Sequence, residues 1–225
     1  MKRLTHLSYT FLFLNVFICI LGGGCNKERG QIKYYSSEDS LNIVNEILNY
    51  RSQVDSSFRF DPQSPFNRDS NVHFTEIKWF PPDLKYYLKS KLFKYEKQET
   101  VKTYGTKGDE REYIKYGYFK FIIDGNEYTL NVYKFITTDP KKSDFYKKYL
   151  SVWFTDKTTG NQTYQVGRYI DVGEENDDPD YPYIIDFNKA YNPYCAYSSL
   201  YSCVIPRQED FVPISIEAGE KKYHH

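Results

Sequence analysis

Four polar side chains between positions 168 and 192 have the types and the spacing that could bind a ligand or do acid–base chemistry. They are Arg168, Asp186, Asn188 and Asn192. A guanidinium matches the planar geometry of carboxylates and phosphates, so Arg168 can pair with a carboxylate or bind an anion. If the chain around Asp186 is a strand, Asp186 and Asn188 lie about 7 Å apart on one face. The turn at Asn192-Pro193 would then bring the Asn192 amide back toward them.

The same residues allow two kinds of function. An ion pair between Arg168 and Asp186 would either brace the fold or form half of an anion-binding site, because buried polar networks serve both roles. If Asp186 lacks a partner, it should titrate abnormally and would be a candidate general base, with Arg168 stabilising developing negative charge. Asn192 can instead hydrogen-bond its own backbone at the turn. A ligand-binding or structural module and a hydrolase-like enzyme therefore remain as alternatives.

Two cysteines, Cys195 and Cys203, follow these residues and enclose a short loop. In an exported protein an even pair of cysteines indicates a disulfide, which would stabilise the domain by roughly 2.5 kcal/mol. One alternative is a redox pair, which usually has the tighter Cys-x-x-Cys spacing. Another is a zinc site, which needs two further ligands. The sequence favours a structural disulfide.

Histidine is too scarce for familiar nucleophilic catalysis. Of the four histidines, His73 lies upstream of the polar motifs, and His224 and His225 lie at the chain end. A Ser-His-Asp or Cys-His site needs a placed imidazole. The acidic segment 171–180 matches no standard calcium loop, and we interpret it as a solvated turn. We therefore predict no metal site and no cofactor.

The first 24 residues predict export. Lys2 and Arg3 precede a mostly apolar run from Leu7 to Leu21, and small residues then lead to Cys25. This order is typical of a signal peptide, and the run is shorter than the about 20 residues that a membrane span needs. Cys25 resembles the acylated cysteine of bacterial lipoproteins, and lipidation would also remove an unpaired thiol at the mature N-terminus. An uncleaved membrane anchor is the alternative.

A lipidated Cys25 would place the protein in the cell envelope, attached to a membrane. Residues 25–36 are polar and are expected to form a tether. Asn26-Lys27-Glu28 resembles the short signal that directs some Bacteroidota lipoproteins to the outer surface. The predicted location is therefore the outer membrane, with surface exposure as an open alternative.

Charge and composition limit the partners. The 30 basic and 30 acidic side chains balance to a formal charge of zero, and no clustered basic face is evident for a phosphate backbone. Nucleic acid is therefore not a predicted partner. Aromatic residues make up 19% of the chain, with 24 tyrosines. This share fits a carbohydrate-stacking surface or half-buried strands, and we favour the strands because strand-rich folds use tyrosine heavily.

Hydrophobic periodicity predicts one helix followed by many strands. A cap at Ser36 or Ser37 precedes apolar residues at helical spacing, and this helix is expected to end by position 56. From position 74 the period changes to two, and alternating runs on both sides of Asp124-Gly125 predict a hairpin. Further strands are predicted at 76–80, 86–95, 99–104, 150–155, 164–172, 183–187 and 212–216, with 150–155 and 164–172 forming a second hairpin.

This pattern predicts a mainly β fold. We expect an antiparallel β-sandwich or partly open β-barrel with one N-terminal amphipathic helix, in a single domain from residue 37 to residue 225.

The combined motifs resemble a bacterial family known as domain-of-unknown-function 1684, in a short form. The resemblance covers roughly residues 64–221 and rests on the segments FTDKTTGNQTYQVGRY (154–169), DFNKAYNPYCAYSSLYSC (186–203) and AGEK (218–221). This chain departs from the family after Cys203, where Val204, Arg207 and Asp210 replace members of the usual pattern. If that loop shapes a pocket, ligand preference would differ. The family has no established activity, so the resemblance implies which residues to test and no mechanism.

Taken with the N-terminal signal, these observations predict a lipid-anchored protein of unknown function. Its β-rich domain is expected to bind a small polar or anionic ligand or to have a structural role.

Overall fold

The computed structural model describes residues 35–137 and 146–223. The predicted signal peptide, Cys25 and nearly all of the tether lie outside these ranges, so those expectations stay predictions. All the described residues belong to one compact unit. Within the described ranges, no helix combines the length and the apolar character that a membrane crossing requires.

The N-terminal helix α1 spans Ser37–Phe60. The Ser36 side chain caps it by accepting a hydrogen bond in the first turn, as predicted. The helix continues past its predicted end at position 56 because Phe58 extends the buried stripe. It stops before Pro62, since the residue that precedes a proline disfavours helical backbone angles. A second, one-turn helix, α2, spans Pro65–Arg68.

The strands form two sheets. A two-stranded antiparallel sheet consists of β1 (Tyr87–Ser90) and β7 (Tyr183–Asp186). The main sheet has five antiparallel strands in chain order: β2 (Leu92–Tyr104), β3 (Glu110–Ile123), β4 (Asn126–Phe135), β5 (Tyr149–Asp156) and β6 (Arg168–Glu174). A sixth short strand, β8 (Phe211–Val212), pairs in parallel with β5.

Both predicted hairpins are confirmed as antiparallel pairs. At the β3–β4 turn, Asp124 and Gly125 have positive φ angles of 51° and 78°, the backbone that a two-residue hairpin turn requires. Strands β5 and β6 also pair, although the connection between them is longer than a tight turn. The mainly β, antiparallel architecture with one long N-terminal helix is confirmed, and its two sheets are consistent with a sandwich or a partly open barrel.

Several strand boundaries were predicted wrongly. The segment 76–80 is not a strand, because only Trp79 forms a bridge, with Glu220. The segment predicted at 86–95 divides between β1 and β2, which belong to different sheets. Of the segment 212–216, only Val212 lies in a strand, and that strand is parallel to its neighbour. Alternation in the sequence identifies extended chain but does not say whether a neighbouring strand is present to pair with it.

The main apolar core lies between the two sheets. It includes Phe119 and Phe121 of β3, Phe154 of β5, Ile185 of β7 and the following Phe187. A second apolar cluster packs the end of α1 against the C-terminal loops through Phe58, Phe66, Ile77, Ala196 and Tyr197. The residues that follow β7 therefore lie between the helix and the sheets, which buries the polar side chains they carry.

Candidate functional site

Arg168 begins β6, and its side chain is 1% exposed. Its Nη2 donates to Asp156 Oδ2 at 2.6 Å and to the Ile216 carbonyl at 2.9 Å, and its Nη1 donates to the Ala218 carbonyl. The predicted pair with Asp186 is therefore wrong, and the partner is Asp156. The physical reason is strand register: β5 pairs with β6 so that Asp156 leaves the sheet beside Arg168.

Asp186 and Asn188 are in contact, as predicted, but through a different geometry. Strand β7 ends at Asp186, which caps a 3-10 turn over Phe187–Lys189. Asp186 Oδ1 accepts from both the backbone N–H and the side-chain amide of Asn188, each at 3.0 Å. The Asn188 amide also exchanges hydrogen bonds with the Asp83 backbone, at 2.8 and 2.9 Å. Asn188 thus holds two loops together, and its hydrogen-bonding atoms are occupied.

The second oxygen of Asp186 has no hydrogen-bond partner among the described residues. Lys189 Nζ lies 3.9 Å away, and burial raises the pKa of this carboxyl above its ordinary value. Nearby, the buried Arg51 of α1 donates to the carbonyls of Phe80 and Asn188, at 2.8 and 3.0 Å. Burial thus outweighs the contacts with Asn188 and Lys189 and keeps the pKa of Asp186 raised, but this carboxyl lies under the helix and is 4% exposed.

Asn192 does not return to Asp186. Its backbone N–H donates to Glu220 Oε2 at 2.9 Å, and its side-chain amide donates to the Lys221 carbonyl at 2.9 Å. The turn at Asn192 instead ties the chain to the C-terminal segment. The prediction of a shared Asp186–Asn192 site is wrong, because the distant C-terminal segment supplies the partners.

Glu220 is a buried polar residue whose contacts the sequence does not reveal. It is fully buried, and its Oε2 accepts from both Asn192 and the Tyr197 hydroxyl, whereas its Oε1 has no partner among the described residues. Burial raises the pKa of Glu220 to about 7. The only signal for it was its place in the closing segment AGEK, which says nothing about depth.

The predicted site residues therefore occupy three separate buried positions: Arg168 with Asp156, Asp186 with Asn188, and Asn192 with Glu220. None of the four predicted residues is more than 4% exposed. A ligand could reach them only if the surrounding core opened. Their geometry supports a structural role, in which each set joins segments that are far apart in the chain.

Cys195 and Cys203 are free thiols that lie against each other. The Cys195 N–H donates to Cys203 Sγ at 3.2 Å, and the Cys203 N–H donates to Thr106 Oγ1 at 3.2 Å. A hydrogen bond from the Cys203 thiol lowers the pKa of Cys195 to about 6, and the same contact raises the pKa of Cys203. The disulfide stays a prediction, for which this proximity is a necessary condition.

A cleft of about 350 Å³ opens beside Cys203. Seven of its fifteen lining residues are aromatic: Tyr113, Tyr149, Trp153, Tyr169, Tyr191, Tyr194 and Tyr201. The remaining lining residues are Arg111, Ser151, Val152, Ile170, Pro193, Ser202, Cys203 and Val204. The volume lies in the range of about 300–1,000 Å³ that is usual for small-ligand sites.

The outer face of the main sheet forms the floor of this cleft. Trp153 is 2% exposed and stacks on Tyr133 with ring centroids 4.5 Å apart, and its indole N–H donates to Asp210 Oδ2 at 3.0 Å. The wall consists of the loop from Pro193 to Val204, where Tyr194 and Tyr201 pack edge to face. Strand alternation places the floor residues on the face of the sheet opposite to the main core.

Several hydroxyl groups of this cleft have no hydrogen-bond partner among the described residues: those of Ser151, Tyr191, Tyr194 and Tyr201. Ser151, Tyr191 and Tyr201 are half-buried and Tyr194 is exposed, so these residues reach the surface of the protein. Of the lining residues that the structure describes, Arg111 alone is charged. Its guanidinium is already occupied by Asp109 at 2.7 Å and by the Ser202 carbonyl at 2.8 Å.

A second cavity, of about 410 Å³, lies between β2 and the acidic loop around Asp178. Within that loop, Asn176 and Asp178 accept hydrogen bonds from backbone N–H groups two residues ahead, each at 2.9 Å. Across residues 35–137 and 146–223, no group of three or more His, Cys, Asp or Glu side chains is arranged to hold a metal ion. The acidic loop therefore has the contacts of a turn that caps itself.

Comparison with known proteins gives a family and a fold but no activity. The family model described as "Protein of unknown function (DUF1684)" matches residues 72–221. Among solved structures, the chain is similar to the solution NMR structure of the uncharacterized protein from gene locus rrnAC0354 of Haloarcula marismortui. The two share 28% identity and superpose with a TM-score of 0.58, over 83% of this chain and 97% of that one. No curated protein matches the chain.

Proposed function

Because the chain belongs to the DUF1684 family of proteins of unknown function, we propose its function from its own geometry: it is a small-molecule-binding module whose site is the tyrosine-lined cleft. The observation that carries this proposal is the aromatic cleft itself, in which four hydroxyl groups have no hydrogen-bond partner among the described residues. Concave sites with apolar walls and a few unsatisfied polar groups are where small ligands bind. All the cleft-lining residues lie within the matched segment 72–221.

The contrast with the buried polar network supports this choice of site. Arg168, Asn188 and Asn192 direct their polar groups to backbone carbonyls, N–H groups and a buried carboxylate. Those contacts occupy most polar groups of the network from within the protein, and the oxygens without a partner among the described residues, Asp186 Oδ2, Asn192 Oδ1 and Glu220 Oε1, are all buried. The cleft, in contrast, presents unpaired hydroxyls beside half-buried rings. Binding a ligand there needs no opening of the core.

The hydrolase-like alternative has no observation in its favour. It needs Asp186 as base beside Arg168, but these two residues lie on different strands and have different partners. Asp186 has a raised pKa, but α1 and the 3-10 turn cover it. We therefore propose a binding function and not a hydrolase-like one.

The cellular setting that we propose is the cell envelope, where an acylated Cys25 attaches the domain to a membrane. The basic start, the apolar run and the small residues before Cys25 support it. The test is metabolic labelling with a fatty-acid analogue in a bacterial host, followed by membrane fractionation. The wild-type chain should carry label and sediment with membranes, and Cys25→Ala should lose the label. An unlabelled wild-type chain would contradict lipidation.

The test of the binding function is a ligand screen on the full chain in a detergent without a sugar headgroup. The screen covers sugars, nucleotides, amino acids, inorganic anions and metal ions, and it reads the thermal midpoint and isothermal titration heats. A ligand at 100 times its dissociation constant adds about 2.7 kcal/mol of stability, which is easily measured. We expect a hit that Tyr201→Ala weakens.

The matched control is Tyr181→Ala. Tyr181 and Tyr194 are each 40% exposed, but Tyr181 does not line the cleft. A hit that survives both Tyr194→Ala and Tyr201→Ala would place binding elsewhere and overturn the proposal.

A further inference from the structure

We infer that the ligand of the tyrosine-lined cleft is a small neutral saccharide, of one or two sugar units. This inference rests on the proposed function and names its ligand class. Three properties of the cleft lead to it: its charge, its rings and its free hydroxyls.

The charge of the cleft favours a neutral ligand. Among the described residues that line the cleft, Arg111 is the only cation and none is a carboxylate. Asp109 pairs with the Arg111 guanidinium at 2.7 Å, and the Ser202 carbonyl accepts from it at 2.8 Å. An anionic ligand would therefore compete with an existing partner for this charge. A cationic ligand would meet the guanidinium, and the nearby carboxylates of Asp109 and Asp171 are engaged by Arg111 and Tyr149.

The rings of the cleft provide flat apolar surfaces. Tyr194 and Tyr201 pack edge to face with centroids 5.1 Å apart, as do Tyr169 and Tyr191 at 5.9 Å. In an edge-to-face pair, the ring that presents its edge keeps both of its faces uncovered by its partner. The face of an aromatic ring is electron-rich and attracts the weakly positive C–H groups of a sugar ring. Tyrosine also provides rigid contact area at a low cost in conformational entropy.

The hydroxyls provide the second half of sugar recognition. Those of Ser151, Tyr191, Tyr194 and Tyr201 each have donor and acceptor capacity and no partner among the described residues. A sugar carries hydroxyls around its edge and C–H groups on its faces. A cleft that presents both aromatic rings and free hydroxyls matches both. A flat aromatic ligand would use the rings but leave the hydroxyls unpaired, which costs affinity.

The volume of the cleft limits the size of its ligand. About 350 Å³ is near the lower end of the range for small-ligand sites. The cleft therefore fits one or two sugar units, and a longer glycan would extend beyond it.

The test is isothermal titration of the full chain in a detergent without a sugar headgroup. The neutral probes are glucose, galactose, N-acetylglucosamine and maltose, and the comparison probes are glucuronate, inorganic phosphate and tyrosine amide. We expect a neutral saccharide to bind at least about tenfold more tightly than any comparison probe. Tyr194→Ala should weaken it by about tenfold through loss of a ring. Tyr201→Phe should weaken it by about threefold, because the ring remains and only the hydroxyl is lost.

The control variant Tyr181→Ala should leave affinity unchanged. If Tyr194→Ala fails to fold, Tyr194→Phe and Tyr201→Phe test the contribution of the hydroxyl groups to affinity, because both rings remain in place. Cleft-dependent binding of glucuronate, phosphate or tyrosine amide in preference to every neutral sugar would overturn the saccharide inference and leave the binding function standing. If no probe binds, the saccharide inference fails, and the broader screen decides the binding function separately.

Discussion

At the level of single residues, the polar groups with the clearest sequence signal join segments that are far apart in the chain. Arg168 is nearly inaccessible and neutralises Asp156, whose other oxygen accepts from Thr158. A buried ion pair adds little net stability compared with apolar side chains of the same shape, but breaking it leaves one charge unpaired. The pair therefore acts as a constraint on how β5, β6 and the C-terminal segment meet.

We predict that Arg168→Met destabilises the protein by about 3–5 kcal/mol, because Asp156 and two carbonyls lose their donor inside the core. Urea denaturation measures this. The control is Lys120→Met, which breaks the exposed pair between Lys120 and Glu127 at 3.1 Å and should cost less than about 1 kcal/mol. An equal, small loss in both variants would contradict the structural role of Arg168.

The raised pKa of Glu220 predicts that the stability of the protein depends on pH. Burial raises its pKa to about 7 in the folded protein, above its ordinary value of 4.5. The folded state therefore binds a proton that the unfolded state has released between these values, so the free energy of unfolding falls as the pH rises from about 4.5 to 7. Glu220→Gln should remove this fall, which amounts to about 3 kcal/mol at most.

Urea denaturation at pH 5, 6, 7 and 8 measures the effect. The wild type should lose stability relative to Glu220→Gln as the pH rises, and the exposed Glu217→Gln should follow the wild type. Arg168 opposes the shift of Glu220, whereas Asp55 adds to it, and both are unchanged in these variants. Parallel curves for the wild type and Glu220→Gln would contradict the raised pKa.

At the scale of elements, turns and loops decide how the polar segments are held. Gly125 and Gly219 both have a φ of 78°. A Cβ at Gly125 meets nothing within 4 Å, whereas one at Gly219 would lie 2.5 Å from the Ala190 carbonyl oxygen and 2.7 Å from that of Phe187. The two positions separate the cost of backbone strain from the cost of close packing.

We expect Gly125→Ala to destabilise by about 1 kcal/mol, from the left-handed backbone alone. Gly219→Ala should cost clearly more, above about 2 kcal/mol, because the backbone must also shift. Thermal and urea denaturation of both variants measure the difference. Equal losses would mean that the close approach at Gly219 has no energetic weight.

The loop between Cys195 and Cys203 forms the wall of the cleft, and its closure should affect stability. We predict that oxidation joins the two sulfurs and that reductant then lowers the thermal midpoint by about 5–10 °C, from roughly 2.5 kcal/mol of loop-closure entropy. Cys203→Ser should have the lower midpoint with or without reductant. If a wild-type sample without free thiols has the same thermal midpoint with and without reductant, this prediction is wrong.

At the scale of the whole molecule, α1 is attached to the sheets by a few buried contacts. Ile47 is fully buried, and Arg51 donates to two carbonyls of the main body, those of Phe80 and Asn188. Because Asp186 and Asn188 lie beneath this contact, the helix covers the polar end of β7. The helix therefore buries residues 186–188.

We expect Arg51→Met to destabilise by about 2–3 kcal/mol, since both carbonyls lose a charged donor. Native-state hydrogen exchange of Arg51→Met should show that the backbone amides of α1 lose protection before those of β3 and β4. Arg59→Met, at an exposed position of the same helix, is the matched control and should leave exchange unchanged. If α1 and β3 exchange together in Arg51→Met, the helix is not a separately attached element.

Much of the fold could be predicted because its signals are local. Alternating apolar residues around Asp124-Gly125 depend only on neighbours along the chain, and so does the Ser36 cap. The wrong predictions of strand pairing and of the Arg168 partner have one cause. Whether the segment 76–80 pairs with a strand, and whether Arg168 meets Asp156 or Asp186, depends on segments many positions away. The pairing of β8 with β5 in parallel is equally non-local.

The amino-acid pattern alone establishes a mainly β protein with an N-terminal helix, its membership of a family without an established activity, and the polar residues that its motifs contain. The tertiary structure decided what those residues do. It buried Arg168, Asp186, Asn188 and Asn192 in separate sets, gave Glu220 its raised pKa, and gathered rings from three strands and one loop into a cleft. Periodicity records which side chains share a face of one element, whereas burial and site formation depend on which elements meet.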